Sequence, residues 1–249
     1  MSSRMDNIWT FFAFPLNLLL AVLWMAGWRW LWRRCPSSAV MRFMLSPAAT
    51  VLSIVLLTVS CLWLGFSGDR DFVRSVPFVA MLLFVQTVVY LVILRGWRRA
   101  DGVIRWRFLL IHAGFLLAVG AGFWGSPDSE ELRMVMKPGE SSQVAFRPDG
   151  SRKALGYGLG LTDYDVEYSI EGKPSHYEAV VSINDGQGRS ISVNHPYSVS
   201  PGEDIYLISV SSDSCVLQIV REPWRYFALA GILMLLAGAF MLFIGGPRR

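Results

Sequence analysis

An ionisable ring sits where the sequence is otherwise apolar: His112, within Phe108-Leu-Leu-Ile-His112-Ala-Gly-Phe-Leu-Leu-Ala-Val-Gly-Ala-Gly-Phe-Trp124. A titratable side chain at membrane depth is costly, so it faces a protein interior or a cavity rather than lipid. Its imidazole has two uses there. It can hydrogen-bond a neighbouring helix, or it can give a nitrogen lone pair to a metal, the iron of a haem included. On a helix, residues three, four and seven apart share a face. His112 therefore shares a stripe with Phe108, Phe115, Leu116, Val119 and Phe123, a surface suited to the flat apolar plane of a porphyrin. Gly114, Ala118 and Gly122, spaced by four, fall roughly opposite and make a small-residue seam for a second helix. The residues alone leave both readings of His112 open.

Other groups with ligating chemistry carry less. His176 and His195 lie in polar surroundings, His195 in the turn Asn194-His195-Pro196. Asp163, Asp165 and Glu167 alternate along one strand and so share a face, which reads as solvated. The three cysteines, Cys35, Cys61 and Cys215, make no Cys-x-x-Cys pair and no disulfide framework. Phosphate-binding loops, nucleophile elbows and zinc-protease helices have no matching motif.

The elements that must position His112 follow from hydropathy. Of 249 residues, 53% are hydrophobic and 17% charged, and the apolar ones come in blocks. A span of the bilayer needs about 20 helical residues. Five blocks qualify, at about 8–28, 47–66, 76–94, 106–124 and 224–244. The expected fold is an integral membrane α-helical protein of about five transmembrane helices with an extracytoplasmic all-β domain between the last two. The transmembrane region is 1–125, the β domain 126–223, and 224–249 the last helix with a short basic tail.

Arginines orient the blocks. Arg29, Arg33, Arg34 and Arg42 follow the first, and Arg95, Arg98, Arg99, Arg105 and Arg107 follow the third. Arg248 and Arg249 end the tail, whereas Asp69 and Asp71 balance Arg70 and Arg74 after the second block. All basic loops fall on one side, which predicts an outside N-terminus, a cytoplasmic C-terminus and an external β domain. The net charge of +4 is accounted for by these loops, so nucleic-acid binding is not implied.

Between 131 and 221 the texture changes to short Val-, Ile- and Tyr-rich runs. Strands are expected at 132–137, 164–170, 177–183, 189–193, 204–210 and 215–221. Pro138-Gly139, Asp149-Gly150, Glu171-Gly172, Asp185-Gly186 and Pro201-Gly202 supply turns, and Asn184-Asp-Gly-Gln-Gly188 a hairpin. The sum is a small antiparallel sandwich or partial barrel, tethered at both ends. Asp128, Glu130 and Glu131 read as solvating the exit of the histidine helix.

The order of parts resembles a known family. The histidine helix from Ile111 leads into Leu132-Arg-Met-Val-Met-Lys-Pro-Gly-Glu140, then Leu161-Thr-Asp-Tyr-Asp-Val-Glu-Tyr168. Val193-Asn-His-Pro196, Ile205-Tyr-Leu207 and the exit Val220-Arg-Glu-Pro-Trp224 follow. This is similar to the ResB/CcsB family of cytochrome c biogenesis, System II. The resemblance implies a subunit, at most accessory to haem attachment, working with a CcsA-type partner that carries a tryptophan-rich haem-handling motif. Haem b in transit would be ligated by His112, with Phe108, Phe115, Val119 and Phe123 lining its slot, and presented outside to apocytochrome c. The second axial ligand would come from the partner. The β domain is shorter than in many relatives, and the 8–28 segment is additional. The alternative is a membrane-anchored β-domain scaffold without haem.

Overall fold

The computed structural model of the protein describes residues 13–68, 72–73, 75–168, 174–211 and 213–244. The start of the first apolar block, Asp69, Arg70, Asp71, Arg74, the Glu171-Gly172 turn and the Arg248–Arg249 tail lie outside them. The chain divides into two compact units, one of helices (Met1–Pro127 and Trp224–Arg249) and one of strands (Asp128–Pro223).

The helical unit holds α1 Leu16–Arg34, α2 Ala39–Met44, α3 Pro47–Ser67, α4 Val76–Gly96, α5 Trp106–Gly125 and α6 Arg225–Ile244. Serines start three of them: Ser38, Ser46 and Ser75 accept from the backbone N–H groups of Met41, Ala49 and Phe78. Proline at the first helical positions of α3 and α4 adds a preset φ where no donor is missed. Helix α3 stops at Gly68, whose φ of 65° suits the left-handed turn that closes a helix.

Among the described residues four helices, against the five expected, are long and apolar enough to cross a membrane, at Pro47–Ser67, Val76–Gly96, Trp106–Asp128 and Arg225–Ile244. Helix α1 is not one of them, because Asn17, Arg29, Arg33 and Arg34 interrupt its 19 residues. It also runs past the expected end at 28. Arginine is a good helix former and suits a C-terminal turn, so the helix stops only before Pro36.

Helix α4 is the hub. Phe78, Met81, Leu82, Val85, Val88 and Leu91 are buried on it. Its two buried polar side chains are paired. Trp24 of α1 donates through Nε1 to Thr87 at 2.8 Å, and the Thr87 hydroxyl donates to the Leu83 carbonyl at 2.6 Å. The Gln86 Oε1 accepts from Trp124 Nε1 at 3.2 Å. Helix α5 packs against α6 through the expected small residues. A Cβ on Gly114 would lie 2.8 Å from the Gly231 carbonyl oxygen, and one on Gly231 would lie 2.6 Å from the Ala118 nitrogen. Ile111 meets Gly238 while Ala118 meets Gly231, so the two helices run antiparallel. Gly122 is outside this seam, with open space around it.

The second unit is one antiparallel sheet of eight strands, ordered β5-β4-β3-β2-β1-β8-β7-β6. The strands are β1 Glu130–Met136, β2 Ser141–Phe146, β3 Arg152–Tyr168, β4 Pro174–Ile183, β5 Arg189–Ser192, β6 Tyr197–Ser200, β7 Glu203–Val210 and β8 Cys215–Arg221. Alternate residues such as Leu132, Met134 and Met136 point inward, and those of both halves of the sheet join one core with Leu159, Val181, Ile205 and Leu217. Strands β3 and β7 are four places apart in the sheet, yet the Tyr157 hydroxyl reaches Glu203 at 2.6 Å. The sheet therefore rolls over its own core, as a partial barrel rather than a two-layer sandwich. Strands β2, β6 and the first half of β3 were not expected. The run Ala154-Leu-Gly-Tyr-Gly-Leu-Gly160 has the composition of a loop, but a side chain on Gly160 would meet the Ser182 hydroxyl at 2.7 Å, a close approach of the kind for which strands keep glycine.

Candidate functional site

His112 is half-buried on α5. Its Nδ1 lies 2.9 Å from the carbonyl oxygen of Phe108, one turn earlier. A carbonyl oxygen only accepts, so Nδ1 carries the proton and Nε2 keeps its lone pair. Helix geometry thus supplies what a ligating histidine requires, a hydrogen bond on the far nitrogen that fixes the tautomer.

One aromatic contact backs the ring. The Phe108 phenyl stacks on the imidazole with centroids 4.0 Å apart and planes 28° apart. The same phenyl occupies the space above Gly96, where a Cβ would lie 2.5 Å from its Cζ. The Arg105 guanidinium sits 5.0 Å over that phenyl and donates to the Gly96 carbonyl at 3.3 Å.

His112 and Phe115 line a cleft of about 100 Å³ together with Thr50 and Ser53 of α3 and apolar side chains of α3 and α4. Ser53 is buried and donates to the Ala49 carbonyl at 2.8 Å. The expected stripe is thereby divided. Phe115 stays beside His112 in the cleft, and Phe108 backs the imidazole. Val119 and Phe123 pack onto the buried face of α4, with Phe123 edge-on to Phe78 at 5.1 Å between centroids. A haem-sized ligand needs a pocket several times larger, roughly 300–1,000 Å³. The donor chemistry fits a haem iron: one imidazole nitrogen of fixed tautomer beside an apolar cleft. A cleft of about 100 Å³ would not by itself enclose such a group.

The β unit carries a polar constellation that the sequence reading missed. Glu130, expected to be solvated, is a hub. Arg147 contacts its Oε1 at 2.8 Å, Arg221 its Oε2 at 3.5 Å, and Lys153 the same Oε2 at 3.8 Å. Arg221 also pairs with Glu203 at 3.0 Å, which accepts from Tyr157. Burial first, then the hydrogen bond to Glu203 and its charge, hold the Tyr157 hydroxyl well above the ordinary tyrosine pKa. The available signal was parity: Glu130 is in step with the inward Leu132, Met134 and Met136. This cluster joins the first residue of β1 to the last of β8, which face each other in register.

The remaining candidates stand apart. His176 and His195 are exposed, His195 in the bridge to Ser192 and His176 opposite Glu167. Asp163, Asp165 and Glu167 lie exposed on β3, the first two accepting from the next backbone N–H at 2.8 Å. Among the described residues no group of three or more His, Cys, Asp or Glu side chains is placed to hold a metal ion. A cleft of about 410 Å³ in this unit is lined by residues including Tyr177, Asn194, Tyr206 and Gln218, with neither histidine among them.

Comparison with known proteins bears on this arrangement. Residues 101–215 match the model of a family described as ResB-like. A solved structure described as "Cytochrome c Heme Lyase CcmF" is similar at a TM-score of 0.46 and 12% identity, over 92% of this chain and 45% of that one. The chain spans less than half the length of that protein, and a likeness of this degree fixes neither activity nor partner. No curated protein matches the chain. The family match takes in the whole histidine helix and the β unit up to the start of its last strand. The match supports the resemblance read from the sequence over this stretch: residues 101–215 are similar to the ResB-like family.

Proposed function

We propose that the chain is a membrane subunit of cytochrome c maturation that ligates haem b through His112 and, with a CcsA-type partner, helps move it across the bilayer to apocytochrome c. One observation carries this reading: a histidine in an apolar helix whose Nδ1 is spent on the Phe108 carbonyl, on a ring that lines an apolar cleft. Haem, when bound, supplies the iron that attachment chemistry needs. The chain's own contribution is to present one nitrogen and to exclude water with Phe115 and the valines of α4. A partner would supply the remaining enclosure and a further ligand. The arginine-rich loops support a cytoplasmic C-terminus and an external β unit, which would meet the apocytochrome.

The test is spectroscopic. The chain co-purified with its partner is expected to carry a Soret band and a haem stain. His112→Ala is expected to lose most of both, with partial recovery on added imidazole. Full haem loading together with normal cytochrome c assembly in His112→Ala would overturn the ligand assignment.

A further inference from the structure

The haem-ligand reading needs one nitrogen, but the structure surrounds that nitrogen with a support that no sequence motif marks. Phe108 holds His112 twice. Its carbonyl takes the Nδ1 proton at 2.9 Å, and its phenyl lies against the imidazole at 4.0 Å between centroids. Phe108 is held in turn. Its ring fills the place of a side chain at Gly96, within 2.5 Å of where a Cβ would stand, so only glycine admits it. Arg105 covers the ring at 5.0 Å while donating to the carbonyl of that same Gly96 at 3.3 Å. The loop that carries Arg105 is itself closed. Arg105 N–H donates to the Trp97 carbonyl at 2.8 Å, Arg99 N–H to Val103 at 3.0 Å, and residues 98 and 104 form an antiparallel bridge.

We infer that Gly96, Arg105 and Phe108 are positioning residues for His112, fixing its Nδ1–H tautomer and ring plane from the arginine-rich end of α5. This deepens the haem reading and rests on it for its purpose, but not for its geometry. It also moves Phe108 from the lining of a slot to the support of the ligand. An imidazole with a free second torsion and two tautomers presents a ligating nitrogen only part of the time. One held by a carbonyl and by a phenyl that a guanidinium covers in turn presents Nε2 in one orientation. Outer partners of this kind typically change metal affinity by about 10–100-fold when removed.

The test uses the full chain in detergent with its histidine nitrogens labelled. The sequence has three histidines, and replacing His176 and His195 by Asn leaves the His112 signals alone. The parent is expected to be the Nδ1–H tautomer. Gly96→Val, which drives a side chain into the Phe108 ring, and Phe108→Leu, which removes the stack, are each expected to give a mixture of tautomers. In haem titration both are expected to bind about tenfold more weakly. Arg105→Gln should weaken binding by a smaller factor, and Arg105→Lys, which keeps the cation, should restore it; Arg105 is exposed, so these two variants test the idea without threatening the fold. An Nε2–H imidazole in the parent would sink the inference, as would variants whose spectra and affinities match the parent. A parent that takes up no haem, while its tautomer shifts in these variants, would overturn the haem reading and leave the positioning role standing.

Discussion

Tyr157 and Glu130 illustrate how much of the β unit rests on single side chains. The fold favours the neutral Tyr157 hydroxyl, because burial and the Glu203 carboxylate oppose its ionisation. Its contribution is therefore present in full below the ordinary tyrosine pKa of about 10, and is lost as pH rises through the higher folded value. Urea unfolding of the strands, followed by circular dichroism, should show stability falling above about pH 10. Tyr157→Phe should lose that alkaline component and be about 1–2 kcal/mol less stable at neutral pH, the size of a partly exposed hydrogen bond to a charged group. At this scale His112 was legible, because one ionisable ring in a long apolar run has few explanations. Glu130 was not. Its neighbours Asp128 and Glu131 made it look like part of a solvated exit, and only the strand register turns it inward.

Helix pairing offers a sharper contrast. Gly231 and Gly122 are both helical glycines, one in the seam and one outside it. A side chain on Gly231 would strike the Ala118 backbone at 2.6 Å, and backbone cannot give way as a side chain can. Gly231→Val should cost about 1–3 kcal/mol through overpacking. Gly122→Ala meets nothing within 4 Å and should be neutral or gain up to about 1 kcal/mol of helix propensity. Thermal unfolding in detergent separates the two, and equal effects would argue against the seam. Sequence spacing placed Gly114 and Ala118 correctly but overshot at Gly122, because four-residue spacing drifts around a helix that turns 100° per residue. Among the strands, the hairpin at 184–188 was readable from its turn chemistry: Asn184 and Asp185 take φ of 51° and 54°, the mirror-image turn that suits twisted strands. The glycine-rich start of β3 was not readable, since its pairing is set by distant neighbours rather than by its own propensities.

For the molecule as a whole, direction in the membrane is open to a chemical test. The arginine argument predicts that a cysteine placed at exposed Val144 of β2 reacts with a membrane-impermeant maleimide in intact cells. One placed at Gly102, in the loop between α4 and α5, should react only after permeabilisation. The reverse pattern would invert the topology and leave the helix packing untouched. Hydropathy made four spans and one tethered β region legible, because both signals are properties of composition. The first block, at about 8–28, begins outside the described residues, and its described part carries Arg29, Arg33 and Arg34 towards the end of α1.

The pairing of Glu130 with Arg221 has a wider implication. Chain entry to the sheet and chain exit from it are neighbours in one register, bound by an ion pair at 3.5 Å. Independently, α5 and α6 form an antiparallel hairpin through their own glycines, with Gly125 against Trp224 at its open end. The β unit is therefore a cassette spliced into the turn of a helical hairpin that is already complete without it. Such an architecture lets the inserted module be lengthened, trimmed or exchanged while the segment that carries His112 keeps its partner helix. Changes in the module then leave the packing of the helical hairpin untouched.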